Sequence, residues 1–135
     1  MAKTVCKLLG LVFVLVGIAG FAKPGLLGAH LGMAHNVVHL VSGAIALYFG
    51  FAGSAGGARG FCVLFGLVYL ALGIGGFVLG HEGTTMMAGM TSMPADPKLW
   101  KVLPGTLELG RMDHIIHIAL GVVFLLGGVF GRSEG

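Results

Sequence analysis

Charged residues are scarce in this sequence. Asp, Glu, Lys and Arg make up only 10% of its 135 residues, whereas soluble domains carry about a quarter. Hydrophobic residues make up 56%, and the mean hydropathy is +0.99. This composition excludes an ordinary soluble domain and predicts an integral membrane protein surrounded by a lipid bilayer.

Motifs of the common enzyme classes are also missing. The sequence has no phosphate-binding glycine loop, no nucleophile motif, no paired carboxylates and no soluble segment that would hold a substrate. Its net charge of +3 is spread over both predicted membrane faces, without the basic footprint of nucleic-acid binding. We therefore expect neither an enzyme nor a nucleic-acid-binding protein.

Only two cysteines are present, Cys6 and Cys62. They occupy equivalent positions of the first and third apolar segments, near the same predicted membrane face. Two small apolar side chains in a bundle core explain the pair, and a disulfide or a shared metal ion is the alternative.

Four apolar segments approach the roughly 20 residues that a helix needs to cross a bilayer. They span residues 4–21, 37–53, 59–79 and 113–130. Because Lys3 and Lys7 precede its apolar stretch, the first segment resembles a secretory signal, but a near copy of it lies in mid-chain, where no signal acts. We therefore predict one domain over residues 1–135 with four retained transmembrane helices.

The chain contains an internal repeat. Gly10–Phe21 recurs 56 residues later as Gly66–Phe77, and His39-x-x-x-Gly43 recurs 78 residues later as His117-x-x-x-Gly121. Glycines at helical spacing let neighbouring helices approach closely in lipid. We predict an all-α membrane protein made of two tandem helical hairpins, related by a pseudo-twofold axis along the membrane normal.

Residues 80–112 form a long connection, an insertion of 22 residues relative to the first hairpin. Trp100 lies between Lys98 and Lys101, which is typical of an anchor in the headgroup zone, so we expect the segment to lie on the membrane surface. Four spans place it on the same face as the first connection. That face therefore collects every histidine of the sequence, namely His30, His35, His39, His81, His114 and His117.

The charges give an orientation. Lys and Arg divide evenly between the two predicted faces, so the positive-inside rule decides little. Most carboxylates lie on the histidine-bearing face, and the resulting net charge favours cytoplasmic termini. We predict a protein of the bacterial inner membrane, with both termini cytoplasmic and the histidines near the outer face.

His39 and His117 lie in otherwise apolar runs, at matching places of the two copies. An ionisable side chain in a transmembrane segment marks a functional site by default. Gly43 and Gly121 follow these histidines by four residues, which predicts a pocket beneath each ring. Neighbours at helical spacing complete a candidate metal site, whose ligands are His35, His39, Asp113, His114 and His117.

Three interpretations of this cluster remain open. In the first, the histidines are neutral and hydrogen-bonded across the bundle, while Asn36 and Asp113 cap helix starts. In the second, they bind zinc or copper, or His39 and His117 hold a haem iron or a pigment between them. The third is a proton relay through His39, His117 and Asp113, since imidazole titrates near neutrality.

The insert offers a second, weaker candidate site. Thioether sulfur is a soft ligand that suits copper(I), and a group of methionines adjoins a histidine on the outer face. The members are His81, Met86, Met87, Met90 and Met93. A flexible apolar lid is the alternative explanation.

Three motifs carry a resemblance to a known family. They are Asn36-Val-Val-His39-Leu-x-x-Gly43, Gly66-Leu-Val-Tyr-Leu-x-Leu-Gly73, and Leu107-Glu-Leu-Gly-x-x-Asp113-x-x-x-His117-x-x-x-Gly121. The pattern covers most of the chain and is similar to the domain of unknown function 4383 family of small bacterial four-helix membrane proteins. The resemblance implies the topology and assigns no activity. The methionine-bearing insert departs from the family pattern.

Two functional hypotheses follow. One is a structural or accessory membrane protein that packs through its glycine-rich helix faces against a second copy or a larger membrane complex. The other is a binding module whose His39 and His117 hold a metal, haem or pigment. The sequence favours the first.

Overall fold

A computed structural model describes residues 1–130, and four long helices account for most of them. The helices are α1 (Ala2–Ala22), α2 (Met33–Phe51), α3 (Ala55–Leu79) and α4 (Arg111–Phe130). Each is long and apolar enough to cross a membrane, which confirms the prediction of four such helices. Both α2 and α3 begin before the predicted residues 37 and 59. His35 and Asn36 lower the hydropathy of the first turn of α2 without preventing helix formation, and Ser54 caps the start of α3 by accepting a hydrogen bond from the Gly57 N–H.

The outward faces of the helices are apolar. Large side chains lie exposed along all four, among them Leu8, Leu15, Tyr48, Leu64 and Val129. A continuous exposed apolar surface marks a protein that contacts lipid or a partner. The helices therefore present a surface suited to acyl chains.

Close helix packing occurs within each hairpin, where α1 packs mainly on α2 and α3 mainly on α4. A Cβ atom at Gly43 would lie 2.8 Å from the carbonyl oxygen of Gly10, and one at Gly121 would lie 2.9 Å from that of Gly66. Only glycine allows backbones to approach this closely. The predicted pocket beneath each inner histidine is therefore wrong, because the backbone of the neighbouring helix fills that space.

Aromatic rings fill the centre of the bundle. Phe13, Tyr69 and Phe124 are buried and stacked, with the Phe13 ring centroid 5.3 Å from that of Tyr69 and 6.0 Å from that of Phe124. Phe13 and Tyr69 occupy equivalent positions of the repeat. This aromatic layer lies directly below the histidines, since the Phe13 and His39 ring centroids are 5.5 Å apart.

The insert folds into a small antiparallel sheet, so the protein is mostly helical rather than all-α as the sequence predicts. Its strands are β1 (His81–Gly83), β2 (Asp96–Leu103) and β3 (Leu107–Leu109), in the order β1-β2-β3. Trp100 pairs with Leu109 across β2 and β3, and its ring lies against Gly75 of α3. The sheet therefore covers the end of the bundle at which α3 ends and α4 begins.

Glu108 organises this insert from a fully buried position, 0% exposed. Its carboxylate accepts hydrogen bonds from the Thr85 hydroxyl at 2.7 Å and from the backbone N–H groups of Met86 and Gly105, each at 2.8 Å. Burial raises the pKa of Glu108, but these hydrogen bonds and nearby Lys101 outweigh it and hold the pKa below its ordinary value. The charged carboxylate thus fastens the segment before β2 to β3.

Candidate metal centre

Three histidine rings meet where α2 and α4 begin. His35 and His39 lie in the first two turns of α2, and His117 lies in the second turn of α4. One ligand nitrogen from each lies within 4.8 Å of the others. The three residues are 4%, 5% and 3% exposed, respectively. Spacing along two helices thus brings three imidazoles together in a buried, largely apolar environment.

The proton on His35 is fixed by a backbone contact. Its Nδ1 lies 3.0 Å from the carbonyl oxygen of His30. A carbonyl oxygen only accepts hydrogen bonds, so Nδ1 carries the proton and donates it. In the neutral ring, Nε2 then holds a lone pair. Metal-ligating histidines are commonly oriented by this kind of hydrogen bond from the second nitrogen.

Ring nitrogens of His39 and His117 lack hydrogen-bond partners of this kind in the described part of the chain. Among residues 1–130, neither ring nitrogen of His39 has a hydrogen-bond partner, and Nδ1 of His117 also lacks one. A buried polar group left without a partner costs about 1–3 kcal/mol. Within residues 1–130, His39 therefore makes none of the cross-bundle hydrogen bonds of the first interpretation.

A void of about 50 Å³ adjoins all three imidazoles. Tyr69 and Leu109 also line it, so the remaining wall is mostly apolar and aromatic. Two nitrogens bound to one tetrahedral zinc ion lie about 3.3 Å apart when each Zn–N bond is about 2.0–2.1 Å. Since the nitrogens lie within 4.8 Å of one another, each pair would have to close by at most about 1.5 Å to reach this spacing.

Asp113 lies beside this cluster and fastens α4 to the first connection. Its Oδ2 accepts hydrogen bonds from the backbone N–H of His30 at 2.9 Å and from that of Gly110 at 2.8 Å. The second bond caps the start of α4. Oδ2 also lies 3.5 Å from Nδ1 of His30. Asp113 is thus placed to hold the backbone whose carbonyl orients His35, one step away from the three rings.

His114 points away from the three-histidine cluster. Its Nε2 donates to the carbonyl oxygen of Lys98 at 2.7 Å, and its ring lies against Gly76 and Phe77 of α3. Its Nδ1 also has no partner in the described part of the chain, so an unpartnered nitrogen alone does not mark a metal ligand. The three-histidine cluster differs from His114 because its ligand nitrogens converge on one point. His114 instead links α4 to β2 through its hydrogen bond to Lys98.

The methionines and His81 of the insert lie in different surroundings. Met87 and Met90 are buried, while Met86 and His81 are exposed. Met87 packs against Gly32, just before α2. Met93 contacts Gly25 in the first connection. The buried methionines therefore fill space between the insert and the connection from α1 to α2.

The role of His30 is not predicted by the sequence. It lies in the irregular connection between α1 and α2, where helical spacing does not relate it to His35 or Asp113. Its backbone nevertheless joins the two, since the amide donates to Asp113 and the carbonyl accepts from His35. A contact between residues 83 positions apart leaves no local pattern in a sequence.

The four apolar helices and the buried imidazoles define a helical membrane protein with a candidate metal centre. Comparison with protein-family models, with curated proteins and with solved structures finds no significant match to this chain. Its function is therefore inferred from the geometry of residues 1–130.

Proposed function

We propose that this protein binds one transition-metal ion within the membrane through His35, His39 and His117. The observation that carries the proposal is the convergence of three buried imidazoles with ligand nitrogens within 4.8 Å of one another. Imidazole suits zinc, copper, iron and nickel. Three protein ligands leave a fourth position open, which is the pattern of an exchangeable or reactive site rather than a closed structural one.

The size of the space favours a bare ion over haem or a pigment. The void at the three rings, where a macrocycle held by these histidines would have to lie, measures about 50 Å³. Pockets that hold drug-sized organic ligands measure roughly 300–1,000 Å³. A single ion therefore needs less rearrangement than a macrocycle between His39 and His117.

An accessory role through free glycine faces has less support. Gly10, Gly43, Gly66 and Gly121 contact the partner helix of their own hairpin, so these faces are already occupied. The faces left for a second copy or a larger complex carry large apolar side chains, which suit lipid equally well. This difference favours the binding module.

We also propose the pseudo-twofold relation between the hairpins. Its support is the recurrence of glycine contacts at the offsets of the repeat. A Cβ at Gly50 would lie 3.2 Å from the carbonyl oxygen of Lys3, and one at Gly128 would lie 3.1 Å from that of Arg59. Equivalent residues therefore make equivalent contacts in the two halves.

Location and family are proposals of the same kind. Placement in a bacterial inner membrane, with both termini cytoplasmic, is supported by the charge distribution alone. Membership of the domain of unknown function 4383 family is supported by the recurrent motifs around His39 and His117. Neither proposal bears on which ion is bound.

Metal stoichiometry tests the proposed function. The protein is purified in mild detergent, incubated separately with Zn²⁺, Co²⁺ and Cu²⁺, desalted and analysed for retained metal. We expect one equivalent of at least one of these ions on the wild type, and its loss in His39→Ala and His117→Ala. His81→Ala is the matched control, because His81 is an exposed histidine of the same face.

Retention of no ion by the wild type would refute the proposal. Equal loss in His81→Ala would also refute it, since that result would place the metal on the surface. Tetrahedral Co²⁺ has a visible spectrum, so its absorbance separates buried imidazole coordination from adsorbed metal.

A further inference from the structure

A larger cavity lies on the other side of the same rings. It measures about 230 Å³ and lies between α1 and α4, under the connection from α1 to α2. Apolar side chains from both helices form most of its wall, including Val16, Ile116 and Leu120. Its polar members are Asp113, His39 and His117, and the last two also line the small void.

His39 and His117 line both the small void and the larger cavity. Each needs only one ring nitrogen to bind a metal, so its other nitrogen is available for a hydrogen bond. A neutral imidazole that binds a metal through one nitrogen carries a proton on the other, which donates to an acceptor in nearly all metal sites. His35 has such an acceptor in the His30 carbonyl. Within the described residues, His39 has none at either nitrogen and His117 has none at Nδ1. Both side chains also line the larger cavity, so a molecule bound there lies beside rings that lack an acceptor.

We propose that this cavity binds a membrane-soluble carbonyl compound, of the quinone or ester type, whose oxygen accepts hydrogen bonds from His39 and His117. A carbonyl oxygen has two lone pairs and accepts from two N–H groups. The apolar walls suit the ring or hydrocarbon chain of such a molecule. The inference rests on the proposed function in one respect, because a bound metal fixes which nitrogen carries the proton.

The rim of the cavity provides a route from the bilayer. Val12 of α1 and Leu27 of the connection line the cavity and are exposed on the outer surface of the bundle. Leu27 is also the one residue other than glycine with a positive φ, 56°, among residues 1–130. Backbone strain of this kind concentrates at ligand sites and switch regions. A lipophilic molecule would therefore enter beside Leu27 without crossing water.

A pair of matched variants tests the proposal. The probe is a benzoquinone with one short isoprenoid tail, and its retention is measured by absorbance after gel filtration of zinc-loaded protein in nanodiscs, relative to empty nanodiscs. Ile116→Phe fills the cavity, whereas Ile115→Phe adds the same ring at the adjacent, exposed position. We expect Ile116→Phe to lower quinone affinity at least about tenfold and Ile115→Phe to leave it unchanged. Leu120→Phe serves as a second filling variant if Ile116→Phe does not fold.

Each outcome decides the proposal. Equal retention by the wild type and both filling variants, or none above empty nanodiscs, would overturn it. Competition by excess fatty-acid methyl ester would show that the site accepts lipid esters as well as quinones, and no competition would restrict it to quinones. Normal zinc retention without quinone binding would overturn this inference alone, whereas quinone binding without zinc would overturn only the metal site.

Discussion

The two ends of the bundle differ in how completely their polar groups are paired. At one end, Cys6 and Cys62 lie with their sulfur atoms 3.6 Å apart, and each thiol donates to a carbonyl of the other hairpin, at Ala58 and Ala2. At the other end, His39 and His117 occupy equally matched positions, yet they leave ring nitrogens without partners in residues 1–130. Both pairs come from the same internal repeat.

The contrast between the cysteine pair and the histidine pair shows when a residue that recurs in both repeats indicates a binding site. A pair whose donors are satisfied within the protein needs only to pack, and Cys6 and Cys62 belong to the buried apolar cluster. Where unpartnered nitrogens also converge on one void, as those of His39 and His117 do beside His35, a bound ligand would offset the loss of hydration. The histidine end is therefore the place to look for function, and the cysteine end provides its internal control.

The largest expected effect is that of zinc on stability. Zn²⁺ at about 100 times its Kd stabilises the wild type by about 2.7 kcal/mol, because it binds only the folded state. We expect the same shift in Cys6→Ala and no shift in His39→Leu. Thermal unfolding in detergent, followed by circular dichroism, measures the shift. If zinc still stabilised His39→Leu, the metal would not be bound at the histidine end, and the contrast between the two ends would be wrong.

The stability of His39→Leu can also be compared with that of the wild type in the absence of metal. In metal-free protein, Leu at position 39 replaces a ring that has no partner among the described residues, so we expect stability equal to or above that of the wild type. A loss larger than about 2 kcal/mol would show that the ring makes a stabilising interaction and would contradict this account.

Next in size is the effect of Asp113 on metal affinity. Asp113→Ala removes the acceptor that holds His30, whose carbonyl orients His35. Loss of such an outer contact typically lowers metal affinity about 10–100-fold. Competition with a zinc chelator measures the change. Glu82→Ala is the control, since Glu82 is an exposed carboxylate of the same face, and unchanged affinity in Asp113→Ala would refute the positioning role.

Substitutions at the cysteine end should lower the stability of the protein without changing its zinc binding. Cys6→Ala and Cys62→Ala each remove a buried sulfur atom, at a cost of about 1–2 kcal/mol, with zinc stoichiometry unchanged. Since the two sulfur atoms touch, the double variant should lose less than the sum of the single losses. Simple additivity would mean that the sulfur contact contributes nothing.

The smallest effect concerns the sheet that covers the histidine end. The pKa of Glu108 is lowered on folding, so its stabilisation is present above the unfolded value of about 4.5 and is lost as pH falls through the folded value. We expect Glu108→Gln to cost about 1 kcal/mol near neutral pH. Trp100 fluorescence during urea unfolding should show the two proteins converging below about pH 4.5, with the exposed Glu82→Gln as the control. A constant difference would exclude the charged carboxylate as the cause.

Much of the helical architecture can be predicted from the sequence. Four long apolar runs suffice to place α1 to α4, since crossing a bilayer requires length and hydropathy and little else. The sheet is hidden because β1 and β3 have only three residues each, and β2 contains Pro97. Its pairing depends on contacts between residues far apart in the chain.

The site can be predicted only in part. Helical spacing places His35 near His39, the repeat matches His39 with His117, and the structure brings the three together. The same spacing includes His114, yet packing over Gly76 turns that ring toward α3. Helix rotation decides which of two neighbouring histidines faces the centre, and rotation is set by the partner helix rather than by the local sequence. The tautomer of His35 depends on a loop carbonyl and has no sequence signal.

X-ray absorption at the zinc edge of the loaded protein tests the central claim most directly. The account predicts three imidazole nitrogens at about 2.0–2.1 Å and one further light-atom ligand. Thiolate sulfur at about 2.3 Å would place the ion at Cys6 and Cys62 instead. Coordination by oxygen alone would contradict a histidine metal centre.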